Sequence, residues 1–174
     1  MAKNPNKYGG GSKTNANGLG FEQTTSLDEA LLDKGYKVSE NEVYDSENNL
    51  VGYSVPKHAL YSKFLKPKGI RYYDYNSKQW LPDECFINPD TRTAYIIEKK
   101  FQNSSGSVDE KLPGCDFKKK EYEKLFNPLD YEVVYLYVFN DWFKQDIYRD
   151  TLEYIKSVGC FYYYNTIPLE FLGL

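Results

Sequence analysis

Leu81-Pro82-Asp83-Glu84-Cys85-Phe86-Ile87-Asn88-Pro89-Asp90-Thr91-Arg92-Thr93-Ala94-Tyr95-Ile96-Ile97-Glu98-Lys99-Lys100-Phe101-Gln102 holds two short apolar runs separated by turn formers. Tyr95-Ile96-Ile97 predicts a buried strand, because aromatic and β-branched residues suit a pleated surface. A strand alternates its faces, so Glu98, Lys100 and Gln102 project to one side, and Lys99 and Phe101 to the other. A carboxylate and an ammonium thus leave a buried element together. That arrangement carries a desolvation cost that stability alone seldom justifies, so such groups are usually present for binding or chemistry. Glu84-Cys85-Phe86-Ile87 predicts the preceding strand, and Asn88-Pro89-Asp90 joins the two as a hairpin.

Strand pairing in that hairpin can bring Asp83 near Glu98. Two close carboxylates repel unless a hard divalent cation lies between them. Magnesium suits such a place, since it takes one or two carboxylates, keeps waters and accepts phosphate oxygens.

Pro82-Asp83, fourteen intervening residues and then Glu98-Lys99-Lys100 resemble the PD-(D/E)XK nuclease signature, and their surroundings look like those of type II restriction endonucleases. The resemblance implies that Asp83 and Glu98 ligate Mg2+, with Mn2+ able to substitute, and that Lys100 orients or activates the attacking water. Gln102 completes a Glu-x-Lys-x-Gln pattern found in many restriction enzymes. Gly106-Ser107-Val108-Asp109-Glu110-Lys111-Leu112 resembles the glycine, small hydroxyl and Glu-Lys that commonly follow the catalytic strand there. By physics alone, Ser107 with Glu110 is a capping box and predicts a helix whose positive end points back to that strand, where a phosphate could lie. The same pair can equally do no more than start a helix.

Upstream, Asn17-Gly18-Leu19-Gly20-Phe21-Glu22 resembles a stretch on the first helix of several restriction enzymes, whose glutamate approaches the metal. Glu22 is therefore a secondary candidate beside Gln102. Phe21, Leu27, Leu31 and Leu32 form an approximate helical stripe, Gly35 is a stop signal, and a glutamate in a first turn is favoured by the helix dipole in any protein.

The chain is 174 residues long, sufficient for one domain and short for two. With 27% charged and 17% aromatic residues, eighteen of them Tyr, it is not a disordered chain. No stretch has the length of a membrane span, and Met1 to Ser12 lacks the apolar core of a signal peptide, so a cytoplasmic location is expected. Cys85, Cys115 and Cys160 are too dispersed for a zinc site or a disulfide set. His58 is the only histidine, which removes histidine-based nuclease designs and nucleophile-histidine relays.

The net charge of -3 hides an uneven distribution. Asn48 to Tyr73 contains no acid, but carries Lys57, Lys63, Lys66, Lys68 and Arg71 interleaved with aromatics; Met1 to Phe21 also lacks acids. Such stretches suit contact with DNA phosphates, and Ser107 joins them as a candidate DNA contact.

Residues 1 to 15 read as a flexible arm, with a nuclease-like domain over 16–174. Helices are expected near Gly20 to Lys34, Phe117 to Phe126 and Phe143 to Val158. Strands are expected at Tyr36-Val38, Glu42-Tyr44, Leu50-Val55, the two of the hairpin, Tyr131-Phe139 and Cys160-Tyr164. The βαβ unit places Tyr131-Phe139 parallel to the Glu98 strand. The fold class is α/β: a mixed central sheet flanked by helices in the αβββαβ order that the resemblance also implies. The expected function is that of a site-specific endonuclease on double-stranded DNA, acting as a homodimer with one centre per strand. The alternatives are a repair or junction-resolving nuclease of the same fold, and a non-catalytic DNA-binding module.

Overall fold

The computed structural model describes residues 18–21 and 25–174. The 1–15 arm and Glu22 fall outside them. Seven strands form one sheet in chain order: β1 (Lys37–Ser39), β2 (Glu42–Tyr44), β3 (Leu50–Ser54), β4 (Glu84–Asn88), β5 (Thr93–Lys100), β6 (Glu132–Phe139) and β7 (Phe161–Tyr164). β1 to β5 pair antiparallel as a meander, whereas β5–β6 and β6–β7 are parallel. The sheet is therefore mixed, and β6 lies beside the Glu98 strand as the βαβ reading expects.

Among the described residues, besides the helical residues 18–21, the α-helices α1 (Leu27–Asp33), α2 (Cys115–Phe126) and α3 (Arg149–Ser157) flank the sheet. Period-two alternation divides the central strands between two cores. Cys85, Ile87, Ala94, Ile96, Tyr135 and Tyr137 meet Tyr122, Leu125 and Phe126 of α2 and Ile155 of α3. Phe86, Tyr95, Ile97, Leu136 and Val138 meet Leu27 and Leu31 of α1 and the chain's end at Ile167, Leu169 and Leu172. β3 approaches β4 closely only because residue 52 is glycine: a Cβ there would stand 2.3 Å from the Phe86 ring and 2.6 Å from the Ile87 carbonyl oxygen.

The helix boundaries differ from the expected ones in three places. The first helical stretch is not continuous from Gly20: residues 18–21 are helical, and α1 restarts after Ser26, whose side chain accepts from the Glu29 amide. Ser26 competes with the helix as a cap, and an N-cap adopts non-helical dihedrals. No capping box forms at Ser107. The chain turns there and enters a 3-10 helix, Asp109–Gly114, whose N-cap position is Val108 and has no side-chain cap. Pro113 inside that segment lacks the amide needed for an α-helical bond, so α2 begins only at Cys115. The last helix is shorter than expected because Asp141–Lys144 and Asp146–Tyr148 are 3-10 turns.

The acid-free stretch folds over the α2-bearing side of the sheet as a π-helical turn, Leu60–Leu65, followed by the 3-10 turns Lys66–Lys68 and Tyr72–Asp74. Gly69, with φ 82, closes the middle turn in the left-handed region. Among the described residues, no helix is long and apolar enough to cross a membrane.

Candidate active site

The β4–β5 register runs Glu84 against Ile97 and Cys85 against Ile96. One further step sets Asp83 opposite Glu98. Directly opposed residues share a face with Cβ atoms about 4.5–5.5 Å apart. Asp83 Oδ2 accepts a 2.8 Å hydrogen bond from the Lys99 amide, which fixes the carboxylate at the mouth of the hairpin. Lys100, two residues beyond Glu98, points the same way and brings Nζ to 3.5 Å from Glu98 Oε2. The structure thus brings Asp83, Glu98 and Lys100 together on the side of the sheet covered by α2.

Glu98 is buried. Its carboxyl is held above the ordinary carboxylate range, first by burial and then by the negative charge of Asp83, while Lys118 and Lys100 pull it down. Tyr122 and Tyr135 lie behind it, their phenols pushed up by burial and then by the Glu98 charge, so both stay protonated. A buried carboxylate facing a second one, with too little cationic compensation to restore its ordinary acidity, is an electrostatic deficit. A divalent cation would relieve it.

The donor set fits a hard ion. Two carboxylate groups match magnesium or manganese better than softer metals. Among the described residues, no group of three His, Cys, Asp or Glu side chains is poised to hold a metal.

The opposite face carries different chemistry. Glu84 and Lys99 point away from Glu98, and Lys99 Nζ sits 2.8 Å from Glu84 Oε1, both side chains buried. The Leu27 amide at the start of α1 donates to the same oxygen at 3.3 Å. Burial pushes the Glu84 carboxyl up, and Lys99 draws it back. A cavity of about 370 Å³ opens between this pair, Ser26, Asp28, Lys57 and Asp83, so Asp83 borders both faces.

Gln102 is buried beyond β5. Its backbone is clasped by Asn140, which donates to the Gln102 carbonyl at 2.7 Å and accepts from its amide at 3.2 Å. Its side-chain Nε2 has no partner among the described residues. Ser107 is exposed and makes no hydrogen bond to the carboxylates. Lys57, Lys63, Lys66 and Lys68 are exposed, and Arg71 is partly neutralised by Asp74 at 2.9 Å.

Sequence reasoning missed Lys118. It projects from α2 to 3.9 Å from Glu98 Oε2 and lies 5.7 Å from the Trp80 ring centroid. A signal was available: Cys115, Lys118, Tyr122 and Leu125 fall at i, i+3, i+7 and i+10, so Lys118 interrupts the helix's buried stripe. The Glu84–Lys99 pair was missed too, although the same hairpin register sets Glu84 opposite Ile97, two residues before Lys99.

A family model described as a PD-(D/E)XK nuclease superfamily domain matches residues 15–124, a span that contains Asp83, Glu98, Lys100 and Lys118. No curated protein and no solved structure matches the chain.

Proposed function

The chain belongs to the PD-(D/E)XK nuclease superfamily, and on that premise we propose that it is a magnesium-dependent, sequence-specific endonuclease of the type II restriction kind, hydrolysing phosphodiester bonds of double-stranded DNA. The observation that carries this reading is the Asp83–Glu98 pair, set opposite one another at the open end of a buried hairpin with two lysines on Glu98.

Asp83 and Glu98 would hold the ion. When bound, Mg2+ or Mn2+ supplies Lewis acidity at the scissile phosphate and lowers the pKa of bound water. Lys100 places the attacking water, since it leaves the strand on the Glu98 side and its ammonium can donate to a water oxygen. Lys118 enters from α2 and neutralises charge that builds on the phosphoryl oxygens. The Lys99 amide keeps Asp83 in place, and Tyr122 and Tyr135 wall off the inner side of Glu98. The protein would work in the cytoplasm as a homodimer, whose two-fold symmetry matches a palindromic duplex with one centre per strand.

Incubation with unmethylated plasmid and magnesium, followed by sequencing of the new ends, tests the proposal. Ends that all fall within one short recurring sequence support it. Cleavage confined to forked or four-way DNA would identify a junction-resolving or repair enzyme instead, and binding without any cleavage would identify a non-catalytic module.

A further inference from the structure

A second cavity, of about 350 Å³, lies on the Glu98 side of the sheet, lined among others by His58, Lys66, Arg71, Tyr72, Tyr73 and Gln79. Its floor belongs to the catalytic core: Tyr61 and Ile70, which also line it, pack in the same cluster as Cys85 and Ile96. Two connections tie it to the carboxylates. The Tyr61 hydroxyl donates to the Trp80 carbonyl, and Trp80 lies beneath Lys118, which reaches Glu98. On the other side, His58 follows Lys57, whose amide donates to the Pro82 carbonyl at 2.9 Å, next to Asp83.

The lining has three kinds of chemistry. Tyr72 stands edge-on to both Tyr61 and Tyr73, at 6.0 Å and 5.6 Å between ring centroids, and the Arg71 guanidinium covers the Tyr73 ring at 5.3 Å. Tyr73 is 62% exposed, so its ring can be reached from solvent. Lys66 supplies positive charge and no acid is among the lining residues, while Arg71 is already paired with Asp74 just outside the cavity at 2.9 Å. His58 and Gln79 add side chains that can both donate and accept hydrogen bonds.

We propose that this cavity receives a nucleobase of the DNA strand that has left the base stack beside the scissile phosphate. A base offers a flat π face for the tyrosines, an edge of donors and acceptors for Gln79 and His58, and a flanking phosphate for Lys66. A free phosphate would not need aromatic walls, and an apolar peptide would not need the cations. In an intact duplex the base faces are covered by their neighbours, so only an unpaired or extruded nucleotide can enter. The inference rests on the nuclease reading and adds that one nucleotide of its DNA leaves the stack near the cut.

The test uses the full chain in excess chelator, so that binding is read without turnover. A short oligothymidine in which one base is replaced by photoreactive 5-iododeoxyuridine is irradiated with the protein, and the cross-linked peptide is identified by mass spectrometry. The expected product is at Tyr61, Tyr72 or Tyr73. Fluorescence anisotropy with the same strand then compares Tyr73→Ala and Gln79→Ala with the unaltered protein. Both positions border solvent, so neither change empties the core. Single-strand affinity, which carries no cost of unstacking and unpairing a base, should fall by about tenfold to hundredfold, the scale of one lost base stack. Cross-links elsewhere, or a single-strand affinity unchanged in both variants, would overturn the proposal. Cross-links at the tyrosines in a protein that never cleaves DNA would uphold the cavity and defeat the nuclease reading. Cleavage with cross-links elsewhere would do the reverse.

Discussion

The Asp83 carboxylate is held by the backbone of Lys99, whose amide donates to Oδ2 at 2.8 Å, while the Lys99 side chain runs to the opposite face and pairs with Glu84. One residue therefore serves both faces, its main chain holding Asp83 and its ammonium pairing with Glu84 on the other. Asp83→Asn retains an oxygen that can accept from the Lys99 amide but removes the charge. It should melt close to the unaltered protein and cleave no DNA, whereas Asp83→Ala should lose cleavage and some thermal stability as well. Parallel melting curves and cleavage assays check this. Full activity in Asp83→Asn would remove the residue from the site.

The two adjacent lysines should fail in different ways. Lys99→Ala leaves Glu84 buried and uncompensated, which costs about 3–5 kcal/mol, so loss of folded protein is expected. Sequence alternation alone predicts an innocuous change there, and the buried pair revises that. Lys100→Ala should fold normally and lose cleavage. The double variant Glu84→Gln, Lys99→Met should regain much of the stability lost in Lys99→Ala and cleave DNA per folded molecule nearly as the unaltered protein does. Thermal melting combined with activity per folded fraction separates the cases, and a stable but inactive double variant would contradict the assignment of faces.

Glu98 predicts a stability change opposite in sign to its catalytic effect. Its carboxyl is raised by burial and then by Asp83, so the folded protein binds that proton more readily than the unfolded chain. The stability from this group is present below the unfolded value and is lost as pH rises through the higher folded value. Glu98→Gln stays neutral throughout. In chelator at neutral pH it should therefore melt higher than the parent, by roughly 2–4 °C for each kcal/mol relieved, and the gap should close on acidification while cleavage is absent at every pH. A lower melting temperature at neutral pH would show that Lys100 and Lys118 outweigh the burial of the charge.

Lys118→Gln removes a cation that reaches Glu98 from another element. The side chain is partly exposed, so the fold should persist. Cleavage rates should drop by about tenfold to a thousandfold, the range seen when one preorganised electrostatic group is lost. The pH below which activity falls should also rise, because Lys118 lowers the Glu98 carboxyl. A slower rate with an unmoved pH profile would place Lys118 on the DNA backbone alone.

The exposed Lys63, Lys66 and Lys68 provide a test of the basic stretch. Their joint neutralisation should make the slope of log affinity against log salt shallower by about 0.9 for each DNA phosphate that these lysines no longer neutralise. An unchanged slope would leave the stretch as a solvated face.

The strands were legible because β-branched and aromatic runs bounded by turn formers carry their own signal, and Asn88-Pro89-Asp90 fixes the hairpin from which the Asp83–Glu98 opposition follows. The regions that escaped are those in which local rules compete. Pro113 overrode the Ser107–Glu110 box, Ser26 interrupted the first helix, and Lys118 was concealed in a run of three lysines that reads as solvent-facing. The basic, aromatic-interleaved stretch was legible as a DNA-contact candidate, but not its closing into a cavity with Gln79, which depends on tertiary packing.

The most direct measurement is cleavage of supercoiled plasmid by the unaltered chain, Glu98→Gln and Lys100→Ala side by side, each with magnesium, with manganese and with excess chelator. The unaltered chain should linearise the plasmid in either metal and not in chelator, and both variants should leave it supercoiled throughout. Cleavage by the unaltered chain in chelator, or cleavage by Glu98→Gln at the parent rate, would contradict a metal-dependent reaction centred on Asp83 and Glu98.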